Sequence, residues 1–246
     1  MKKIVSLVVA ALVMCSCADS FLSEEPVGEF MPEQVESEEN IEGIVIGAYA
    51  VLDGYYASDA INSGCSNWQF GDVVSDDAYK GGGGTGDQNQ IHLMEIFNAN
   101  PTGIDFEARW AALYEGVKRC NQAIRLLSNS TVKNKEQRLA EMRFLRGHYY
   151  FNLKVIYNLI PWIDETVVDP NEYHTKSNME FTSDQLWEKI LGEFSAAYQV
   201  LPESQSDYGR PTKMAAKAYM AKVYLYQSKW KECLSACDEV IQSGKY

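Results

Sequence analysis

The 246-residue sequence predicts an all-α solenoid of stacked helix pairs, interrupted by one long irregular loop. Three observations predict it. Beyond Ile41, apolar residues return at intervals of three and four over most of the chain, the period of a helix with one buried face. The last two such segments mix small residues with large aromatics, which lets neighbouring helices approach closely. Residues 57–105 lack a sustained period and concentrate glycine at Gly64, Gly71, Gly81 to Gly84 and Gly86. A loop of that length is usually functional or disordered.

Taken in order, Ile41 to Tyr55 is the first expected helix, weakened by Gly43 and Gly47. Trp110, Leu113, Tyr114, Val117, Cys120, Ile124 and Leu127 define one face of the second. Glu136 to Ile160 reads as a long helix stopped by Pro161. Trp187, Ile190, Leu191, Phe194, Tyr198 and Leu201 form the cleanest stripe, opened by a Thr182/Gln185 capping box and ended by Pro202. Met214 to Gln227, rich in alanine and tyrosine, pairs with a helix marked by Trp230, Cys233, Leu234, Cys237, Val240 and Ile241 and capped by Gly244. This hairpin resembles a tetratricopeptide repeat, with Ala218, Tyr224, Trp230 and Ala236 near its small and aromatic positions. Ala140 to Arg146, followed after an insertion by Trp187 to Leu201, looks like an earlier, degenerate copy.

The amino terminus bears on the compartment. Lys2 and Lys3 precede an apolar or small stretch from Ile4 to Met14, about half a bilayer core long at ~1.5 Å per residue. That is a secretory leader rather than a span. A lipoprotein peptidase requires a small residue before the cysteine it exposes. Ser16 before Cys17 fits; Met14 before Cys15 fits poorly. Cys17 is therefore the expected lipidation site, with a plain secretory leader as the competing reading. Residues 1–17 are then the leader, 18–40 an acidic tether, and 41–246 the helical domain. The tether carries eight acids from Asp19 to Glu39 and no Lys or Arg, so it stays solvated. Net charge is −12, which disfavours nucleic acid as a partner. Cys233 and Cys237 share an apolar row and read as packing thiols, Cys65 has no assigned role, and no disulfide framework is spaced here.

Four stretches in order resemble the SusD/RagB family of nutrient-binding outer-membrane lipoproteins. They are Cys17-Ala-Asp-Ser-Phe-Leu; Trp110 to Ile124 with Tyr114 and Asn121; Ala140-Glu141-Met-Arg-Phe-Leu-Arg146-Gly147 running to Pro161; and Gly209-Arg210-Pro-Thr-Lys213 with Tyr224-Leu225 and Trp230. Gly147 departs from the usual alanine, at about 1 kcal/mol of helix propensity. The resemblance implies a chain that binds glycans or similar nutrients without catalysis and passes them to a SusC-like TonB-dependent transporter. It also implies surface exposure on the outer membrane through a lipid anchor. Members of that family are about twice as long, so a carboxy-terminal region is expected to be missing. The last helix should then leave Trp230, Leu234, Val240 and Ile241 uncovered, and residues 18–246 alone should aggregate or bind an apolar dye.

Sugars are held by aromatic faces against the apolar side of the ring and by carboxylates and amides at hydroxyls. In the loop region such types are Trp68, Asp76, Asp77, Tyr79, Asn89 and His92, and these are the candidate ligand residues. Trp68 and Tyr79 are the stacking candidates; pinning the loop to the solenoid is the competing role for both. Gly81 to Gly86 lacks the Gly-Lys-Ser/Thr of a phosphate loop. Asp72, Asp76 and Asp77 miss the alternation of an EF-hand, so no metal or other cofactor is expected. His148 reads as a packing or capping histidine, and Glu141, Arg143 and Arg146 as helix-face or inter-helix pairing. No catalytic set is legible. The alternative functions are a tetratricopeptide-type protein–protein adaptor lipoprotein, which predicts peptide in a concave groove, and a glycoside hydrolase, whose paired carboxylates are not found.

Overall fold

The structure is a computed structural model and describes residues 38–54 and 68–245. The expected leader, Cys17, most of the expected acidic tether and Cys65 lie outside the described residues.

Helices follow one another and pack neighbour on neighbour: α1 (Glu38–Tyr49), α2 (Asn89–Glu95), α3 (Ile104–Asn129), α4 (Lys135–Tyr157), the single turn α5 (Pro170–Tyr173), α6 (Ser183–Val200), α7 (Lys213–Tyr226) and α8 (Trp230–Gln242). The principal contacts run α3 to α4, α4 to α6, α6 to α7 and α7 to α8, with α1 laid against α3. This is the expected tetratricopeptide-like solenoid, and no strand occurs among the described residues.

Element ends differ from the sequence reading for local reasons. α1 begins at Glu38 and stops at Tyr49, where the chain tightens into a 3-10 turn closed by Gly54 at φ 109°. Gly43 and Gly47 do not break it, because Ile41, Val45 and Ala48 bury its inner face and the Gly47 carbonyl accepts Arg119 Nη1 at 2.8 Å. α4 ends at Tyr157, before Pro161. Asn158 takes φ 62° there, and its side-chain oxygen accepts Lys154 Nζ at 2.7 Å. α6 starts on the predicted capping box: Gln185 N donates to Thr182 Oγ1 at 3.3 Å and Thr182 N to Gln185 Oε1 at 2.9 Å.

The strap after α4 is sewn to the solenoid by aromatic residues. Trp162 stacks on Tyr150 at 4.0 Å between centroids, and Tyr150 Oη donates to Ile163 O at 2.6 Å. Tyr114 Oη donates to Pro161 O at 2.7 Å, and Asn121 Nδ2 to Ile163 O at 2.9 Å. Two ionic clusters tie distant elements together. Arg146 grips Glu193 through two nitrogens, at 2.8 and 3.1 Å, and also bonds Asn121 and Glu165. Glu141, fully buried, accepts Tyr49 Oη at 2.9 Å, Arg138 Nη1 at 2.7 Å and Arg210 Nη1 at 2.8 Å. The pairing predicted at Glu141, Arg143 and Arg146 is thus largely inter-helical, with partners drawn from well outside α4.

Gly147 corrects an expectation. Read as a mere loss of helix propensity, it is instead a point of close approach. A Cβ there would meet the Phe194 ring at 3.0 Å and Glu193 Cβ at 3.1 Å. Propensity alone favours Gly147→Ala by about 1 kcal/mol. We expect the substitution to be destabilising by about 1–2 kcal/mol net, because α6 must move outward. Urea unfolding of the variant checks the sign.

His148 packs inside the same layer, its Nδ1 2.8 Å from Tyr219 Oη, and burial pushes its pKa down to about 4. Unfolding frees it to take a proton at its ordinary value near 6.5, so the unfolded chain binds more protons between those two values. Stability should therefore fall as pH drops from about 6.5 towards 4, by up to about 3 kcal/mol. His148→Gln should flatten urea midpoints across pH 6.5 to 5, above the range where carboxylates titrate.

Candidate functional site

The six residues singled out by the sequence all lie on one segment, 68–97, that joins the loop region to α3. Its start is a π-helical turn, Trp68–Val73. Gln69 is buried and donates to Asp105 Oδ1 at 3.2 Å. Phe70 meets Phe106 edge-on at 5.4 Å, under the Arg109 guanidinium at 5.8 Å. These residues fasten the turn to the start of α3. Tyr79 stays outside that packing at 80% exposed, whereas Trp68 is mostly covered and presents only 36% of its surface.

Asp76 and Asp77 follow on an exposed turn, Asp76 at φ 65° and Asp77 accepting Ser75 Oγ at 3.1 Å. The glycine run then wraps around a side chain of its own. Lys80 Nζ donates to Gly84 O at 2.8 Å and Gly81 O at 3.2 Å, while Gly83 N donates to Asp87 Oδ2 at 2.9 Å. Gly82 sits at φ 76°, a left-handed conformation that favours glycine, and a Cβ there would displace the Asp87 carboxylate, whose Oδ2 lies 2.3 Å from that position. Carbonyls converge here on a cation, the opposite of a phosphate cradle.

The short helix α2 returns the chain, anchored by buried Ile91 and Met94. Asn89 Nδ2 donates to Thr85 O at 3.0 Å, and His92 Nδ1 lies 3.2 Å from Glu95 Oε2. Glu95 Oε1 accepts the backbone N–H of Lys80 at 3.2 Å, which brings the chain at Tyr79 alongside α2. Among the described residues, no three His, Cys, Asp or Glu side chains gather as metal ligands.

One residue escaped the sequence reading. Phe97, just past α2, is 77% exposed and holds φ 56°. Glycine is the usual residue there, and a bulky side chain in the left-handed region costs on the order of 1–2 kcal/mol. An exposed aromatic kept at that cost points to use. Nothing in the local sequence signals it, since the strain belongs to the backbone.

A recess, about 370 Å³ in volume, lies between α3 and the strap, walled by Trp110, Tyr114, Val117, Lys118, Pro161 and Tyr173. Its inner polar groups are already engaged: Tyr114 Oη and Asn121 Nδ2 on strap carbonyls, and Asn121 Oδ1 on Arg146. It offers aromatic walls, with Glu115 and Lys118 as the charged groups beside them. The 68–97 segment combines exposed aromatics with exposed carboxylates, the chemistry that sugars require.

Residues 20–225 match the SusD-like family described as starch-binding and associating with the outer membrane. The chain belongs to that family. SusD-like protein P2 of Formosa agariphila is 24% identical over 97% of this chain and 46% of its own length. A laminarin-binding SusD-like protein superposes with a TM-score of 0.71 at 26% identity, over 83% of this chain and 43% of that one. Surface glycan-binding protein A of Bacteroides thetaiotaomicron, solved with laminarihexaose, gives 0.69 at 29% identity, over 85% and 44%. This SusD-like chain thus spans less than half the length of these relatives. Among the described residues no helix is long and apolar enough to cross a membrane.

Proposed function

We propose that this SusD-like chain captures glycans at the cell surface without catalysis and delivers them to a SusC-like TonB-dependent transporter, held to the outer membrane by lipid on Cys17. The observation that carries the reading is the exposed aromatic and acidic segment 68–97 in a family whose solved relatives include binders of laminarin and laminarihexaose. Trp68 and Tyr79 stack on sugar rings, joined by Phe97. Asp76 and Asp77 accept sugar hydroxyls, and Asn89 and His92 complete the hydrogen bonding. The buried acids Glu141 and Glu193 take no part, being neutralised by arginines. A β-linked glucan of the laminarin type is the first ligand to try.

Affinity electrophoresis of the chain against a panel of neutral glycans tests this. Retardation by laminarin is the expected result. Uniform failure across the panel, with binding to a peptide instead, would move the chain to the adaptor class. Cell fractionation addresses anchoring separately: Cys17→Ala should release the chain from membranes, and retention of that variant contradicts the lipid anchor.

A further inference from the structure

Tyr79 is 80% exposed, so packing of its own side chain does little to fix its position. The backbone on either side must do so. Ala78 N donates to Asp72 O at 2.9 Å, and Lys80 N donates to Glu95 Oε1 at 3.2 Å. The second bond holds only while the chain leaving Lys80 is ordered. Residues 81–87 cannot be ordered by burial, because none of them is buried. Five of the seven are glycine, the residue that loses most conformational freedom on folding.

Lys80 supplies what burial does not. Gly81, Gly82 and Gly84 take φ 72°, 76° and 115°, the left-handed region open to glycine. The turn they make brings the Gly81 and Gly84 carbonyls onto Lys80 Nζ, at 3.2 and 2.8 Å. Gly84 O also accepts the Asp87 N–H at 3.2 Å, and Asp87 Oδ2 accepts the Gly83 N–H at 2.9 Å. Hydrogen bonds from a charged donor are about twice as strong as neutral ones, and one ammonium donates two of these four. The loop is closed around the side chain of the residue that precedes it.

We propose that Lys80 is a positioning residue for glycan capture: by binding the loop that follows it, it holds Tyr79 where it can stack on a sugar ring. The inference rests on the reading of Tyr79 as a stacking residue. Lys80 itself touches no sugar, since its ammonium is engaged by carbonyls. An aromatic ordered in advance loses less freedom on binding, so the contribution of Lys80 is read in affinity.

Lys80→Met keeps the length of the side chain and removes the ammonium. Calorimetric titration of the full chain with a laminarin oligosaccharide, in a polyoxyethylene detergent, tests the proposal. Lys80→Met should weaken affinity about five- to tenfold in the parent, with the main melting transition unchanged. In a Tyr79→Ala background it should change affinity by less than about twofold, because the residue it positions is gone. Without sugar, amide exchange in residues 80–87 should quicken at least about tenfold in Lys80→Met. Equal weakening in both backgrounds makes Lys80 a direct contact and overturns the positioning role. Parent-like affinity in Lys80→Met, where Tyr79→Ala has lost it, overturns the role as well, and so does unchanged exchange in the loop. A Tyr79→Ala variant that binds like the parent, or a parent that binds no glycan, instead overturns the reading of Tyr79 and takes this inference with it.

Discussion

Arg146→Ala is expected to cost about 3–5 kcal/mol of folding stability, enough to unfold a large share of a marginally stable domain. Arg146 is 2% exposed, and its guanidinium holds Glu193 bidentately while bonding Asn121 and Glu165. Truncation leaves the buried Glu193 carboxylate without its counter-charge and Asn121 Oδ1 without its donor. Arg143, 4.0 Å from both Glu165 and Glu193 but 38% exposed, offers only weak compensation. Arg146→Lys should recover less than half of the loss, because one ammonium cannot reproduce a fork that serves four acceptors. Replacing both members, Arg146→Met with Glu193→Leu, should cost far less than Arg146→Ala, since no buried charge is then stranded. Urea unfolding of the three variants checks the order.

The second large effect falls on binding. Trp68→Ala and Tyr79→Ala should each weaken glycan affinity by about 10- to 100-fold, and together they should remove measurable binding. Tyr79, at 80% exposed, should change stability by no more than about 0.5 kcal/mol, whereas Trp68, only 36% exposed, should cost about 1–2 kcal/mol as well. Phe97 separates binding from folding in the opposite direction. Phe97→Gly relieves the left-handed backbone and should raise stability by about 1 kcal/mol while weakening glycan binding. Calorimetric titration with a laminarin oligosaccharide, paired with melting curves, reads both quantities. A Phe97→Gly variant that binds as tightly as the parent removes Phe97 from the surface.

How much of the molecule is legible in its sequence depends on how local each feature is. The helices of the solenoid follow from three-and-four spacing, and the Thr182/Gln185 capping box from a motif four residues long. Asn121 and Tyr114 stand out in the family resemblance, but their role in fastening the strap rests on Pro161 and Ile163, some forty residues away. Glu141 reaches Arg210 across 69 residues, which no periodicity predicts. Gly147 is misread by propensity because the reason for glycine lies on a different helix. In the candidate site, residue types exposed Trp68, Asp76, Asp77, Tyr79, Asn89 and His92 to view. The sequence could not tell which residues fasten the segment, and Phe97 carries its signal only in a dihedral angle.

Hydrogen–deuterium exchange with and without a laminarin oligosaccharide tests the capture surface most directly. The account predicts that slowed exchange on sugar addition is confined to residues 68–97. Protection that falls instead on the Trp110–Tyr173 recess, with 68–97 unchanged, contradicts it.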